Sequence, residues 1–89
     1  MSFSRAQVRD AITPVSNKVK SALDREFKTK SHVSAIVGGT SLNPDIAVIV
    51  QMIGDPDAAR QAQMTQTALR EVRTVLPGSN ANISLRLAS

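Results

Sequence analysis

The segment from Asp45 to Ile53 constrains the fold most, because it is apolar on both sides when read as a β-strand. Successive side chains of a strand point to opposite faces of its sheet. One face then carries Ile46, Val48, Val50 and Met52. The other face carries Ala47, Ile49, Gln51 and Ile53. A strand of this kind is stabilised by apolar contacts on both sides.

Two other segments alternate in the manner of half-buried strands. The first contains Val33, Ala35 and Val37, and the last contains Ile83, Leu85 and Leu87. Gly38 and Gly39 end or bulge the first strand. Proline presets its own backbone angle, and Asn and Asp tolerate turn conformations, so Asn43-Pro44-Asp45 has turn chemistry. The first two strands are therefore predicted to form an antiparallel hairpin.

A first helix is predicted after Ser4, which forms a capping box with Gln7. Its apolar positions recur every three or four residues, as on one face of a helix. These positions are Val8, Ile12, Val15, Val19, Leu23 and Phe27. Pro14 interrupts this stripe. It predicts either a kink or a restart in which Thr13 caps the helix and Pro14 takes the first helical position.

A second helix is predicted from Gly54-Asp55-Pro56-Asp57 to Pro77-Gly78. Asp55 is the expected cap, Pro56 suits the first helical position, and Asp57 suits the first turn. The predicted inward stripe is Ala58, Ala62, Thr65, Leu69, Val72 and Leu76, supported by Ala68 and Val75.

The order of these elements predicts one small α+β domain over residues 1–89. At 89 residues the chain has enough length for a single core. The expected architecture is a two-layer αββαβ sandwich, with two helices on one face of a three-stranded mixed sheet. The helical crossover makes strands two and three parallel. The pattern leaves open whether strand three lies beside strand one or strand two.

An exposed apolar surface follows from this architecture. Two helices cover one side of the sheet only, so an interaction patch is predicted on the other side. This patch consists of Ile36, Ala47, Ile49 and Ile53. Exposed apolar patches mark partner surfaces, so we expect self-association or a protein partner. Two alternatives stay open: Lys28–Ser31, residues 40–44 or the N-terminal segment folds over the patch, or strand two is simply a well-buried central strand.

The distribution of charge raises a second hypothesis, nucleic-acid binding. The net charge is +4, and residues 1–32 hold seven Lys or Arg against three acidic residues. Candidate phosphate contacts are Lys18, Lys20, Arg25, Lys28 and Lys30. The alternative function is thus a small basic RNA-binding or ribosome-associated domain of the KH-like class. The Gly-x-x-Gly loop of KH domains is missing from the sequence, and the predicted strands hold no aromatic residue for base stacking.

Composition argues against an enzyme. The chain has no Cys, Trp or Tyr and a single His, His32. We predict no catalytic, cofactor-binding or metal site, because no nucleophile, base and orienting group can be named together. The longest apolar run, Ile46–Val50, is far shorter than the ~20 residues of a transmembrane helix. With no signal-peptide pattern, the expected location is the cytoplasm, with membrane contact only through a partner.

The pattern of elements resembles the small modules of the bacterial alkaline-shock protein family and its membrane-anchor relatives. The likeness lies in an amphipathic helix with Val8-Arg9-Asp10-Ala11-Ile12, strands Val33–Val37 and Ile46–Met52, a helix with Ala68–Val72 and a strand Asn82–Leu87. Similar αββαβ units occur in cation-efflux cytoplasmic domains and in ring-building modules of secretion systems. The resemblance implies a non-enzymatic domain that assembles with itself or at a membrane-associated partner, and it transfers no site residues.

Overall fold

A computed structural model of the protein describes residues 3–40, 43–54 and 56–88, with the backbone alone described at residues 53 and 88. The elements are α1 (Arg5–Asp10), α2 (Ile12–Phe27), β1 (Ser31–Gly39), β2 (Pro44–Ile53), α3 (Ala58–Val75) and β3 (Asn80–Ala88). The predicted α+β class and αββαβ order are confirmed, with one correction. The first predicted helix is divided, so three helices rather than two accompany the sheet.

The capping box at the start of α1 is confirmed. The Ser4 hydroxyl accepts a hydrogen bond of 3.2 Å from the Gln7 backbone N–H. The Gln7 side-chain oxygen accepts one of 2.8 Å from the Ser4 backbone N–H. These two bonds satisfy N–H groups that have no partner within the helix.

The division between α1 and α2 lies at Ala11, so the predicted restart with Thr13 as cap is wrong. Proline cannot donate a backbone hydrogen bond, and its ring crowds the carbonyl four residues earlier. For Pro14 that carbonyl belongs to Asp10, the last residue of α1. The helix therefore breaks before the proline. Ala11 stays near helical geometry (φ −88°, ψ −5°), so both helices keep one buried face.

Helix α3 begins at Ala58, two residues later than predicted. Its N-cap is Asp57, whose Oδ1 accepts a hydrogen bond of 2.8 Å from the Arg60 backbone N–H. Asp55, the predicted cap, lies outside the described residues, and Pro56 precedes the helix. A carboxylate that satisfies a free N–H in the first turn fixes the start of the helix, and here that carboxylate belongs to Asp57.

The inward face of α3 also differs from the prediction in its first half. Ala58 and Ala62 are exposed, whereas Met64, Thr67, Ala68 and Val72 are buried. Thr65 and Leu69 are half-buried. Burial of apolar area favours the largest apolar side chain, so the helix turns Met64 inward instead of the small alanines. The predicted stripe is correct at Ala68, Val72 and Leu76.

The sheet has the order β1-β2-β3, which places β2 in the centre. The predicted hairpin is confirmed, since β1 and β2 are antiparallel and Gly39 pairs with Pro44. The crossover through α3 brings β3 parallel to β2, with Asp45 opposite Asn80. Strand three therefore lies beside strand two, the point that the sequence pattern left open.

The core lies between the helices and one face of this sheet. Its largest members, Leu23, Ile46, Val48, Val50 and Met64, are almost fully buried. Helix α1 adds Val8 to the same cluster. Because β2 is central, its core-facing side chains are covered by helices and by both neighbouring strands.

Candidate interaction surface

The side of the sheet that faces away from the helices is called the outer face. It consists of His32, Ser34 and Ile36 of β1, Asp45, Ala47, Ile49 and Gln51 of β2, and Asn82, Ser84 and Arg86 of β3. Strand pairing aligns these residues in rows across the sheet. The assignment of these faces agrees with the sequence prediction, because alternation along each strand sends the other half of the residues into the core.

The centre of the outer face is apolar. Ile36 is 56% exposed, and among the described large apolar side chains only Leu87, at 38%, is also exposed. Ile36 pairs directly with Ala47, and Ile49 is the next outward residue along β2. Ala47 and Ile49 are half-buried. The structure thus brings together three of the four predicted patch residues; the side chain of the fourth, Ile53, lies outside the described residues.

No described segment covers this apolar centre. The exposure of Ile36 and of the neighbouring Ser34 shows that solvent reaches it. Helix α1, which contacts β1 and β2, buries Val8 in the core on the opposite face. The described parts of the N-terminal segment, the β1–β2 loop and Lys28–Ser31 therefore leave the outer face open.

Strand β3 gives the apolar centre a polar border. Asn82 lies opposite Ala47, and Ser84 lies opposite Ile49. Both side chains are exposed. The apolar area is thus confined to β1 and β2, where an apolar partner surface must make its contacts.

An acidic side chain stands at one end of the outer face. Asp45 pairs with Gly38, and its carboxylate lies over that glycine, where a Cβ would come within 2.5 Å of Asp45 Oδ1. The absence of a side chain at Gly38 therefore leaves room for the carboxylate on this face. Within the described residues, Asp45 forms no salt bridge.

The opposite end of the outer face is basic. His32, Gln51 and Arg86 form one row across β1, β2 and β3. They line one open depression together with Lys30 and with the apolar side chains of Met52 and Leu87. All three residues of the row are exposed. The sequence alone does not reveal this row, because it depends on the register of β3 against β2.

The five predicted anion contacts do not form one surface. Lys18 and Arg25 line a groove between α2 and α3 that Glu71 also lines. Lys20 donates a hydrogen bond of 2.8 Å to Asp24 Oδ2 and another to the Ser31 carbonyl. Its charge is therefore paired within the fold.

Lys28 and Lys30 occupy two further places. Lys28 ends α2 in a left-handed conformation (φ 51°) and lines a pocket with Phe27 and Met64. Lys30 lies at the basic end of the outer face. The cations that are close in sequence thus point to separate surfaces of the protein.

The remaining chemistry of the described residues is sparse. No three His, Cys, Asp or Glu side chains in residues 3–40, 43–54 and 56–88 lie close enough to hold a metal ion. No helix among those residues has both the length and the apolar character needed to cross a bilayer.

The chain matches no protein-family model, and no curated protein matches it significantly. The resemblance to alkaline-shock modules stays a prediction.

Proposed function

We propose that the protein is a non-catalytic interaction module that self-associates through the apolar centre of its outer face. The observation that carries this proposal is the exposure of Ile36 beside Ala47 and Ile49, on a sheet face that no described element covers. Covering these side chains removes apolar surface from water, which is the main favourable term in most protein association.

The size of the outer face sets the expected strength of association. Three strands of about nine residues, spaced ~4.8 Å apart, present on the order of 400 Å². A standard stable interface buries about 800 Å² on each partner. We therefore expect a reversible dimer with a dissociation constant in the micromolar range or weaker, observed at high protein concentration and lost on dilution.

The polar groups of the outer face support binding rather than catalysis. Ser34 and Ser84 are the hydroxyls on this face, and His32 is the single imidazole of the chain. Nucleophilic catalysis by serine requires a hydrogen bond to a general base. Among the described side chains, neither hydroxyl is hydrogen-bonded to His32.

The proposal is tested by sedimentation velocity over a wide concentration range. Ile36→Lys and Ile49→Lys each place a charge in the apolar centre, and we expect both variants to sediment as monomers at concentrations where the wild type dimerises. Ile36→Thr keeps the β-branched shape that suits a strand and should weaken the dimer less.

The matched control is Ala62→Lys, which adds the same charge at an exposed position of α3. It should dimerise like the wild type. A wild-type protein that stays monomeric at the highest concentration, or a dimer that all three outer-face variants leave unchanged, contradicts the proposal. Circular dichroism checks that each variant is folded.

Nucleic-acid binding is the alternative proposal, and Lys18 and Arg25 are the two predicted contacts that share a groove. Glu71 in the same groove opposes a polyanion. A mobility-shift assay at low salt separates the two proposals: binding that Lys18→Ala and Arg25→Ala weaken supports the alternative, and the absence of any shift rules it out.

A further inference from the structure

The outer face has a polarity of charge along the strands. Asp45 stands at one end, and the row of His32, Gln51 and Arg86 stands at the other, with the apolar centre between them. On β2, Asp45 precedes Val48 by three residues and Gln51 follows it by three. At ~3.3 Å per residue, each charged end lies about 10 Å from the level of Val48.

From this polarity we infer that the outer face binds a second copy of the chain in one orientation, with the strands of the two sheets antiparallel. The inference rests on the proposed function and adds the geometry of the complex. The two-fold axis of this complex lies between the two sheets, perpendicular to the strands, at the level of Val48. Asp45 of each copy then lies over the basic row of the other, near Arg86 and His32 of the second copy.

Charge selects this orientation over its alternative. A two-fold axis parallel to the strands also stacks two outer faces, but it places Asp45 over Asp45 and brings the two basic rows to the same end. Juxtaposed like charges oppose association and exclude wrong arrangements. In the antiparallel arrangement both ends carry opposite charges, and a two-fold interface forms the favourable contact twice.

The apolar centre fits the same arrangement. Reversal about the level of Val48 places Ile49 over Ala47 of the second copy, and Ala47 over Ile49 of the second copy. In the same way, Ile36 of each copy lies over Ser34 of the other copy. Large side chains therefore meet small ones, which lets two facing sheets interdigitate. The pairing of Ile36 with Ala47 then brings the isoleucines of both copies into one cluster.

Charge exchange tests the inference directly. Asp45→Arg places a basic side chain at both ends of the outer face. Arg86→Glu places an acidic side chain at both ends. Each variant alone should dimerise at least about tenfold more weakly than the wild type, since it sets like charges against each other. An equimolar mixture of the two should form a heterodimer of near wild-type affinity. The double variant, which exchanges the two charges, should recover as a homodimer.

The outcomes separate this inference from the proposed function. If Ile36→Lys abolishes the dimer but both charge variants dimerise like the wild type, the outer face is the interface and the antiparallel orientation is wrong. If both charge variants weaken the dimer, and neither their mixture nor the double variant restores wild-type affinity, the predicted contact between Asp45 and Arg86 is wrong. If Ile36→Lys leaves the dimer intact, the proposed function fails first.

Salt gives an independent measurement. Pairing of opposite charges at both ends predicts that the wild-type dimer weakens as ionic strength rises, because exposed charges are screened. The double variant should show the same dependence. A wild-type dimer that strengthens steadily with added salt contradicts the predicted charge contacts.

Discussion

Asp24 Oδ1 accepts two hydrogen bonds from Ser31, one from the backbone N–H and one from the side-chain hydroxyl, each 2.9 Å long. Lys20 binds the other carboxylate oxygen at 2.8 Å and also the Ser31 carbonyl. Ser31 is the first residue of β1 and is 5% exposed. This cluster therefore ties the start of the hairpin to α2.

Replacement of Asp24 by alanine should destabilise the fold. It leaves the buried N–H and hydroxyl of Ser31 without their acceptor, a loss of about 1–3 kcal/mol. Urea denaturation measures the free energy of unfolding. Asp10→Ala is the control, because Asp10 is an exposed carboxylate of α1, and it should change stability by less than about 0.5 kcal/mol. Equal effects of the two substitutions contradict the structural role of Asp24.

The stability that Asp24 contributes should depend on pH. Partial burial alone raises its pKa, but the hydrogen bonds from Lys20 and Ser31 outweigh burial and hold the pKa of Asp24 below its ordinary value. In the unfolded chain the pKa returns to about 3.9. The contribution is therefore full above about pH 5 and is lost as pH falls through 3.9 toward the folded pKa.

Urea midpoints of the wild type and Asp24→Ala, measured between pH 6 and pH 3, check this dependence. The difference between the two midpoints should shrink as the pH falls. A difference that is constant over this range shows that the charge of Asp24 contributes nothing to its role.

The two adjacent glycines at the end of β1 should respond oppositely to substitution by alanine. At Gly38 an added Cβ contacts only the side-chain carboxylate of Asp45 and no backbone atom, and a side chain can rotate away. Glycine weakens a strand interior by roughly 0.5–1 kcal/mol relative to alanine, so Gly38→Ala should be neutral or slightly stabilising.

Gly39 has a φ of +75°, and a Cβ there collides with the backbone carbonyl of Asn43. Gly39→Ala should therefore cost at least about 1–3 kcal/mol. Thermal unfolding of the two variants measures the contrast. If both variants melt at the same temperature, the tight hairpin connection between Gly39 and Pro44 is wrong.

Substitutions in α3 distinguish its observed inward face from the one that the sequence predicts. Met64 is 2% exposed, so Met64→Ala should cost about 2–4 kcal/mol. Leu69 is half-buried, and Leu69→Ala should cost about 1 kcal/mol or less. Urea denaturation ranks the two, and the reverse order supports the predicted stripe.

The strands and their faces were predictable from the sequence, whereas the details of the helices were not. Alternation is a local property, so the residues of β1, β2 and β3 identify their own inward and outward sides. The break at Ala11 arises because Pro14 acts on the carbonyl of Asp10, four residues earlier. The face of α3 depends on which side chain fills the core, and alanines at helical spacing satisfy the same pattern as Met64.

The candidate site was predictable in part for the same reason. Ile36, Ala47 and Ile49 lie in one hairpin, whose pairing follows from a short connection. The basic row requires the position and register of β3, which only long-range pairing determines. The predicted cations cluster in sequence, but Lys20 is paired with Asp24 and the others point in different directions.

The parallel pairing of β2 with β3 has a consequence for folding. Gly39 and Pro44 pair across a short connection, whereas Asp45 pairs with Asn80 only after the intervening helix. Closing the longer loop costs more chain entropy and slows the step. Until β3 joins, the edge of β2 is open, and an open apolar strand edge is a template for aggregation. During refolding, β3 of the same chain therefore competes with strands of neighbouring molecules for the edge of β2. Dilution slows only the pairing between molecules, so it favours the native sheet.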